Sequence, residues 1–312
     1  MKLAITFYIT NYSLMKEHWD ENSILKDKNI FGTNVPLGIK KELGGKIVIF
    51  DWDRKQEIKS KELSCPSGFD VKGDKLFVCS MSENKIFVLN NNLEIIGGIG
   101  NQYFNDLHSL HSTKKGFILA NTGLDCIIEV NDNGKILWIW WANENGFNRD
   151  MFGKNRIIEI GIDHREIDYP TLAQTTHLNS VIYVDEDENK SYVVLFHQGQ
   201  VIEIDKKTLK VRTILSGLDH PHSVYKLSEN FLVSDTNKNR ILIFDNNGKI
   251  LKSITGEFDW IQDAIKLSNG NYLIADSNNF RLVEVDDFGR IINSYYYNKN
   301  YKIYQVKEIV DS

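Results

Sequence analysis

The sequence predicts an all-β fold, a six-bladed β-propeller with four antiparallel strands per blade, and three observations carry the prediction. First, the stretches 65–90, 106–131, 220–245 and 261–286 superpose as a polar approach, a strand, a turn, a second strand ending in Ser, Asn or Asp, and a third strand. Second, their anchors share one phase. Ser67 and His108 are 41 residues apart (108 − 67), as are His222 and Asp263 (263 − 222), and Ser80, Asn121, Asp235 and Asp276 each follow 13 residues later. Third, β-branched and aromatic runs bounded by Asn, Gly and Asp turns dominate the chain, with no convincing amphipathic helical pattern of ten or more residues and only Ser13–Lys26 as a candidate short helix. A period of about 40 residues holding several short strands is the mark of a propeller.

Taken in order, MKLAITFYIT alternates as a strand, Ser13–Lys26 reads as a short helix, and GGKIVIFDWD and EIKSKEL add two more strands. The tail YKIYQVKEI supplies a fourth. Pairing the last segment with the first closes the ring and hides both sheet edges. Between them KLFVCS, GFILAN, FLVSD and YLIAD are second strands, and NNNLE, NDNGK, DNNGK and DDFGR are tight hairpins. A further blade begins where Asn179-Ser180-Val181 matches His222-Ser223-Val224. Its hairpin EDENK, counted as five residues longer, puts His197 at the strand-end position. His108 and Asn179 are 71 residues apart (179 − 108), and the excess lies in Trp141–Leu172. This insertion, with ANENGFNRDMFGKNR and His164, is expected to be a polar cap over one mouth of a single domain spanning 1–312.

The composition excludes several classes of function. A net charge of −5 gives no broad nucleic-acid footprint, and no run approaches the ~18 apolar residues of a membrane span. Three cysteines without a C-x-x-C spacing, and an N-terminal segment without a long apolar stretch or cleavage site, point to reduced thiols and a cytoplasmic protein. A closed ring without an obvious partner stripe is expected to be a monomer whose partner is a small-molecule substrate.

A propeller turns the same phase of every blade toward one channel, so three columns matter. The anchor column reads Ser67, His108, Asn179, His222, Asp263. Two residues earlier come Cys65, Asp106, His177, His220, Ile261, and the strand-end column reads Ser80, Asn121, His197, Asp235, Asp276. Residues two apart on a strand face one side, so His177 and Asn179 can both look inward, as can His220 and His222. Imidazoles gathered there can ligate a divalent ion or act as general acid and base. On this reading His108, His177, His197 and His222 are metal ligands, and His108, His177, His222 and Asn179 are the catalytic set. Asp106, His220, Asp263, Trp260 and Trp141 are expected to support them or touch substrate. The blander reading, polar residues tying neighbouring loops, suits any one of them alone. It is also preferred for the repeated Asp235–Arg240 and Asp276–Arg281 pairs, for His111 as packing, and for Trp138 and Trp140 between blades.

Residues 220–245 and 261–286 resemble NHL-type propellers, whose blades run Pro-x-Gly-Val to Val-Ala-Asp-Thr-x-Asn-x-Arg-Ile. Here His222 or Asp263 stands for the glycine. Residues 106–205 are similar to bacterial arylsulfotransferase-like propellers, through the His108 start, the strand Gly134 to Trp140, and His177-Leu-Asn179-Ser180. That resemblance implies a His-x-Asn pair, a downstream arginine and further histidines holding a sulfuryl group, one histidine carrying it covalently. In this chain His197 stands where the arginine would be.

The expectation is an enzyme with a histidine-rich channel site, dependent on a divalent ion (Fe, Zn, Mn or Ca), performing hydrolysis, elimination or oxidation on a small organic substrate. Sulfuryl transfer through a covalent histidine is the alternative enzyme. A non-catalytic propeller that binds a ligand or peptide is the alternative without chemistry.

Overall fold

Six four-stranded antiparallel sheets form the computed structural model, which describes residues 1–20 and 35–309. Blades 1 to 5 span 66–100, 107–141, 178–215, 224–255 and 261–296, each running outward from the channel in chain order. Blade 6 takes its inner strand from Lys302–Ile309 and its outer three from Lys2–Ile9, Lys46–Asp51 and Gln56–Glu62. The ring is therefore closed by pairing chain ends, with Lys2 opposite Ile309 and Thr6 opposite Gln305.

Neighbouring blades share apolar layers. Trp140 is 1% exposed and packs with Trp138, Ile118, Val181 and Val193 between blades 2 and 3. Burying side chains of this size stabilises by about 1.5–3 kcal/mol each. The Asp–Arg pairs are structural ties, as expected. Asp235 accepts from Arg240 Nε and Asp276 from Arg281 Nε, both at 2.7 Å, and each also accepts the backbone N–H of the residue 16 or 17 positions earlier.

Two segments leave the ring on the same side. One lies between the first two strands of the chain and holds helices α1 (Tyr12–Asp20) and α2 (Leu37–Glu42). The expected helix 13–26 is met by α1 as far as Asp20, and its remainder lies outside the described residues. The second segment follows blade 2 and is irregular apart from short helical turns at Ala142–Glu144 and Thr171–Ala173. The two meet, since the Leu37 N–H donates to Asp168 Oδ1 (2.7 Å) and Lys41 pairs with Glu166 (3.2 Å).

Candidate functional site: the capped channel

The inner strands of blades 1, 2, 3, 5 and 6 carry a bulge at one place, blade 4 has an irregular approach there, and this break in the ladder decides what enters the channel. Leu107 pairs with Asn121 and Ser109 with Ala120, so His108 is left out of the ladder. The same gap leaves out Asn179, Gln262 and Tyr304. Blade 4 puts His222 there, its N–H on Ser234 O, and blade 1 puts Ser67 there. A bulge bends the strand and re-aims the unpaired side chain. Gly68 follows Ser67, and a Cβ on it would meet His108 O at 2.6 Å, so only glycine allows this approach of blades 1 and 2.

This register corrects three columns. Gln262, not Asp263, shares the place of His108, because the blade 5 hairpin between Lys266 and Tyr272 is one residue longer than its blade 4 counterpart between Lys226 and Phe231. Asp263 stands one ring further along the channel. Leu195, not His197, ends its strand opposite Leu178, because the longer hairpin adds fewer residues than the sequence count assumed. Trp260, not Ile261, completes the approach column. That column has a signature invisible in residue type: Cys65, Asp106, His177, His220 and Trp260 all have left-handed backbones, φ between 40° and 59°. Such a turn costs about 1–2 kcal/mol in a residue with a Cβ. Hydrogen bonds from the preceding blade hold three of them. Asp106 N–H donates to Asn84 Oδ1 (2.6 Å), His177 N–H to Asp125 Oδ1 (3.0 Å) and Trp260 N–H to Asn239 Oδ1 (2.8 Å).

Above the bulge ring lies a cavity of about 140 Å³. Its floor carries His108, His177, His222 and Gln262. Asp106 and Lys40 form one wall, and Ile9, Met15, Val35, Leu43, Met81, Phe196, Trp260 and Tyr304 supply apolar surface. Lys40 of α2 pairs with Asp106 (3.2 Å), so the cap reaches the site directly. Burial acts to raise the Asp106 carboxyl, but Lys40 and His108 more than offset it and hold it well below the usual carboxylate range.

The three floor imidazoles are each fixed by fully committed partners. His108 Nδ1 donates to Asn179 Oδ1 (2.9 Å), because the Asn179 amide nitrogen is occupied by Pro221 O (3.0 Å). Its other nitrogen lies 3.6 Å from Asp106 Oδ2. His177 Nδ1 donates to Gln174 Oε1 (2.5 Å), whose own amide nitrogen is taken by Tyr169 O (2.9 Å). His222 Nδ1 donates to Thr236 Oγ1 (2.9 Å), since that hydroxyl gives its proton to Ile261 O (2.8 Å). All three therefore keep Nε2 for the cavity side. His108 and His177 stand edge to face with ring centres 4.9 Å apart. Burial lowers the His177 pKa well below the ordinary value, with like-charge repulsion from His108 adding to it, and burial takes His222 down to about 3. Both are neutral near pH 7. Burial pushes the Cys65 thiol up to about 12, so it is no nucleophile there.

The remaining expected residues fall elsewhere. His197 gives its Nε2 proton to Thr171 O (3.0 Å) and does not line the cavity. His220 pairs with Asp219 (2.5 Å) and packs on Phe196. Trp141 lies on the outermost strand of blade 2 against Tyr103 and is no part of the site. His111 lines a lower chamber rather than packing away from it, and His164 is buried, bonded to Tyr169 (2.7 Å). Phe196 stands beside His177, His220 and His222 at 4.9, 4.5 and 5.4 Å, and among the described residues no three His, Cys, Asp or Glu side chains are placed to hold one ion. Among the described residues no arginine lines the cavity, and Lys40 is the cation on its wall. Sequence reasoning missed Lys40, Gln262, Tyr304 and Phe196. The signal for Lys40 was available, since 36 residues separate Ile9 from Lys46 where the next hairpin needs four.

The molecule is a six-bladed β-propeller with a capped channel lined by histidine and aromatic side chains. No family model and no curated protein sequence matches the chain. Solved structures do match its fold. A protein of unknown function from Bacteroides caccae is 14% identical over 84% of this chain and 93% of its own, with a TM-score of 0.60. A chain of a nidogen/laminin complex is 12% identical over 84% and 94%, with a TM-score of 0.62. Virginiamycin B lyase from Staphylococcus aureus, in a catalytically inactive histidine-to-alanine variant with quinupristin, is 11% identical over 74% and 70%, with a TM-score of 0.52. Among the described residues no helix is long and apolar enough to cross a membrane.

Proposed function

We propose that the chain is an acid–base enzyme that performs an elimination on a small organic molecule with an apolar body, bound in the capped cavity. The observation that carries this reading is the pair His108 and His177, edge to face at 4.9 Å, one beside a carboxylate and one kept neutral. His177 Nε2 has a lone pair and takes a proton from carbon. His108, whose Nε2 lies 3.6 Å from Asp106 Oδ2, is the proton donor to the leaving group on the neighbouring carbon, so the C–H and C–X bonds break as the double bond forms. Two proton carriers set apart by their surroundings are what such a step requires.

Among the described cavity residues Cys65 stays protonated and Lys40 is held by Asp106, which speaks against a covalent intermediate on either. Apolar walls suit the substrate body and exclude water, which strengthens charge interactions on the floor. The lyase among the fold relatives is an instance of a propeller frame hosting a lyase, at an identity that speaks for the fold alone.

The test is incubation of the purified protein with the small-molecule fraction of a cell extract, followed by mass spectrometry. One mass should disappear as two masses summing to it appear, and both His177→Ala and His108→Ala should abolish the change. Retention of a compound released unaltered would support the binding propeller instead. No change in any mass would end the enzymatic reading.

A further inference from the structure

Beneath the bulge ring is a second chamber of about 40 Å³ that shares His108, His222, Gln262 and Tyr304 with the mouth cavity. Its walls are the next ring of inner-strand residues, among them Ser109, Ser180, Ser223, Asp263 and Gln305. Most of these clasp the following blade. Val181 N–H donates to Ser109 Oγ (3.1 Å), Val224 N–H to Ser180 Oγ (3.4 Å), Val306 N–H to Asp263 Oδ2 (2.9 Å) and Phe69 N–H to Gln305 Oε1 (2.7 Å).

Asp263 does something more. It is 1% exposed, its Oδ2 is satisfied by Val306 N–H and the Tyr225 hydroxyl (3.2 Å), and its Oδ1 is buried with no direct hydrogen bond, although the nearby Ser223 hydroxyl and Ala264 N–H also favour the charged carboxylate. A buried carboxylate oxygen left bare costs several kcal/mol unless a proton, ion or water meets it. Burial raises the Asp263 carboxyl to about 6. Ser109 and Ser180 each accept an N–H and so keep a hydroxyl proton to donate. Donors facing one free acceptor are answered by water, which does both jobs, better than by a cation. A chamber of this volume has room for about two waters, at ~15 Å³ each.

We propose that the lower chamber holds a short file of water joining the Asp263 carboxyl to His108 and His222, making Asp263 an internal proton carrier for the mouth site. The proton leaves Asp263 Oδ1 for the first water as each water passes one on, and the His108 ring, which lines both chambers, accepts it. The return step reverses the order, so no co-reactant is needed. The other ionisable groups on the chamber are Tyr225 from blade 4, Tyr304 and Lys307 from blade 6, and His111 from blade 2. Lys307 and His111 face Asp70 of blade 1, which leaves Asp263 without a fixed counter-charge. The proposal rests on the acid–base reading of the mouth cavity, but its test uses no turnover.

Infrared spectra of the whole protein at mildly acidic pH should show a protonated-carboxyl band that is missing from Asp263→Asn. On transfer to heavy water the band should shift within the mixing time, and a high-resolution crystal structure should show ordered water at Asp263 Oδ1. Ser180→Val, which fills the chamber, should slow that exchange about tenfold or more, toward the rate of local opening. A dry chamber, or a band that exchanges only as the protein unfolds, overturns the proposal even if elimination is demonstrated. The wild-type measurements alone decide it if a variant fails to fold.

Discussion

His108 and Asn179 hold each other across the boundary between blades 2 and 3, imidazole nitrogen to amide oxygen at 2.9 Å. Both are bulge residues, and Asn179 passes the contact on to blade 4 through Pro221 O (3.0 Å). Three consecutive blades therefore meet in one hydrogen-bonded chain on the cavity floor.

Asn179→Ala strips the acceptor from His108 and the donor from Pro221 O. Leaving buried polar groups unpaired costs about 1–3 kcal/mol. Chemical denaturation should show a loss in that range, and turnover should fall further than stability does, because the His108 ring is free to turn.

Acid should unfold the protein through its histidines. Burial lowers His177, His197, His220 and His222, the last to about 3, while the unfolded value is about 6.5. A depressed histidine contributes stability that is present above the unfolded value and lost as pH falls toward the folded one. Denaturation midpoints should therefore drop steadily below about pH 6.5. His222→Gln should flatten part of that slope. A wild-type protein equally stable at pH 7 and pH 4 would contradict the neutral burial of these rings.

Asp263 acts with the opposite sign. Its folded value near 6 exceeds the unfolded 3.8, so the fold favours the proton, and the benefit is lost as pH rises through 6. The gap corresponds to about 3 kcal/mol at 1.36 kcal/mol per unit. Asp263→Asn keeps an oxygen for Val306 N–H and removes the penalty, so it should be the more stable protein at pH 8. Equal midpoints at pH 8 would show the carboxylate to be solvated there.

Asn84 touches no part of the cavity surface, yet its side chain accepts from Asp106 N–H (2.6 Å) and donates to Arg165 O of the insertion (2.6 Å). Asn84→Ala should cost about 1–3 kcal/mol and speed amide exchange in both Asp106 and the segment around Arg165, measured by mass spectrometry. Exchange confined to residue 84 itself would separate the insertion from the site.

The repeat exposed the ring, its closure and most of the floor, because hydrophobic alternation and turn chemistry act within a few residues of one another. His108, His177, His222 and Asn179 were legible for that reason. Asp263 was placed one position off, since nothing in residue type marks a hairpin longer by one. His197 was misplaced by the same uncertainty, enlarged. Trp141 could not be assigned from its strand pattern, because alternation gives a face but not which strand lies nearest the channel. Lys40 and Phe196 belong to the site through contacts between distant segments, and local sequence carries no record of those.

The closure of blade 6 has a consequence for the site. Tyr304, from the strand Lys302–Ile309, lines the mouth cavity 5.8 Å from His108 and fills the sixth place in the bulge ring. Without that strand Lys2–Ile9 has no inner partner and the ring of blades is not closed. The strand that completes the ring thus also completes the cavity wall, so one pairing event serves both shape and site.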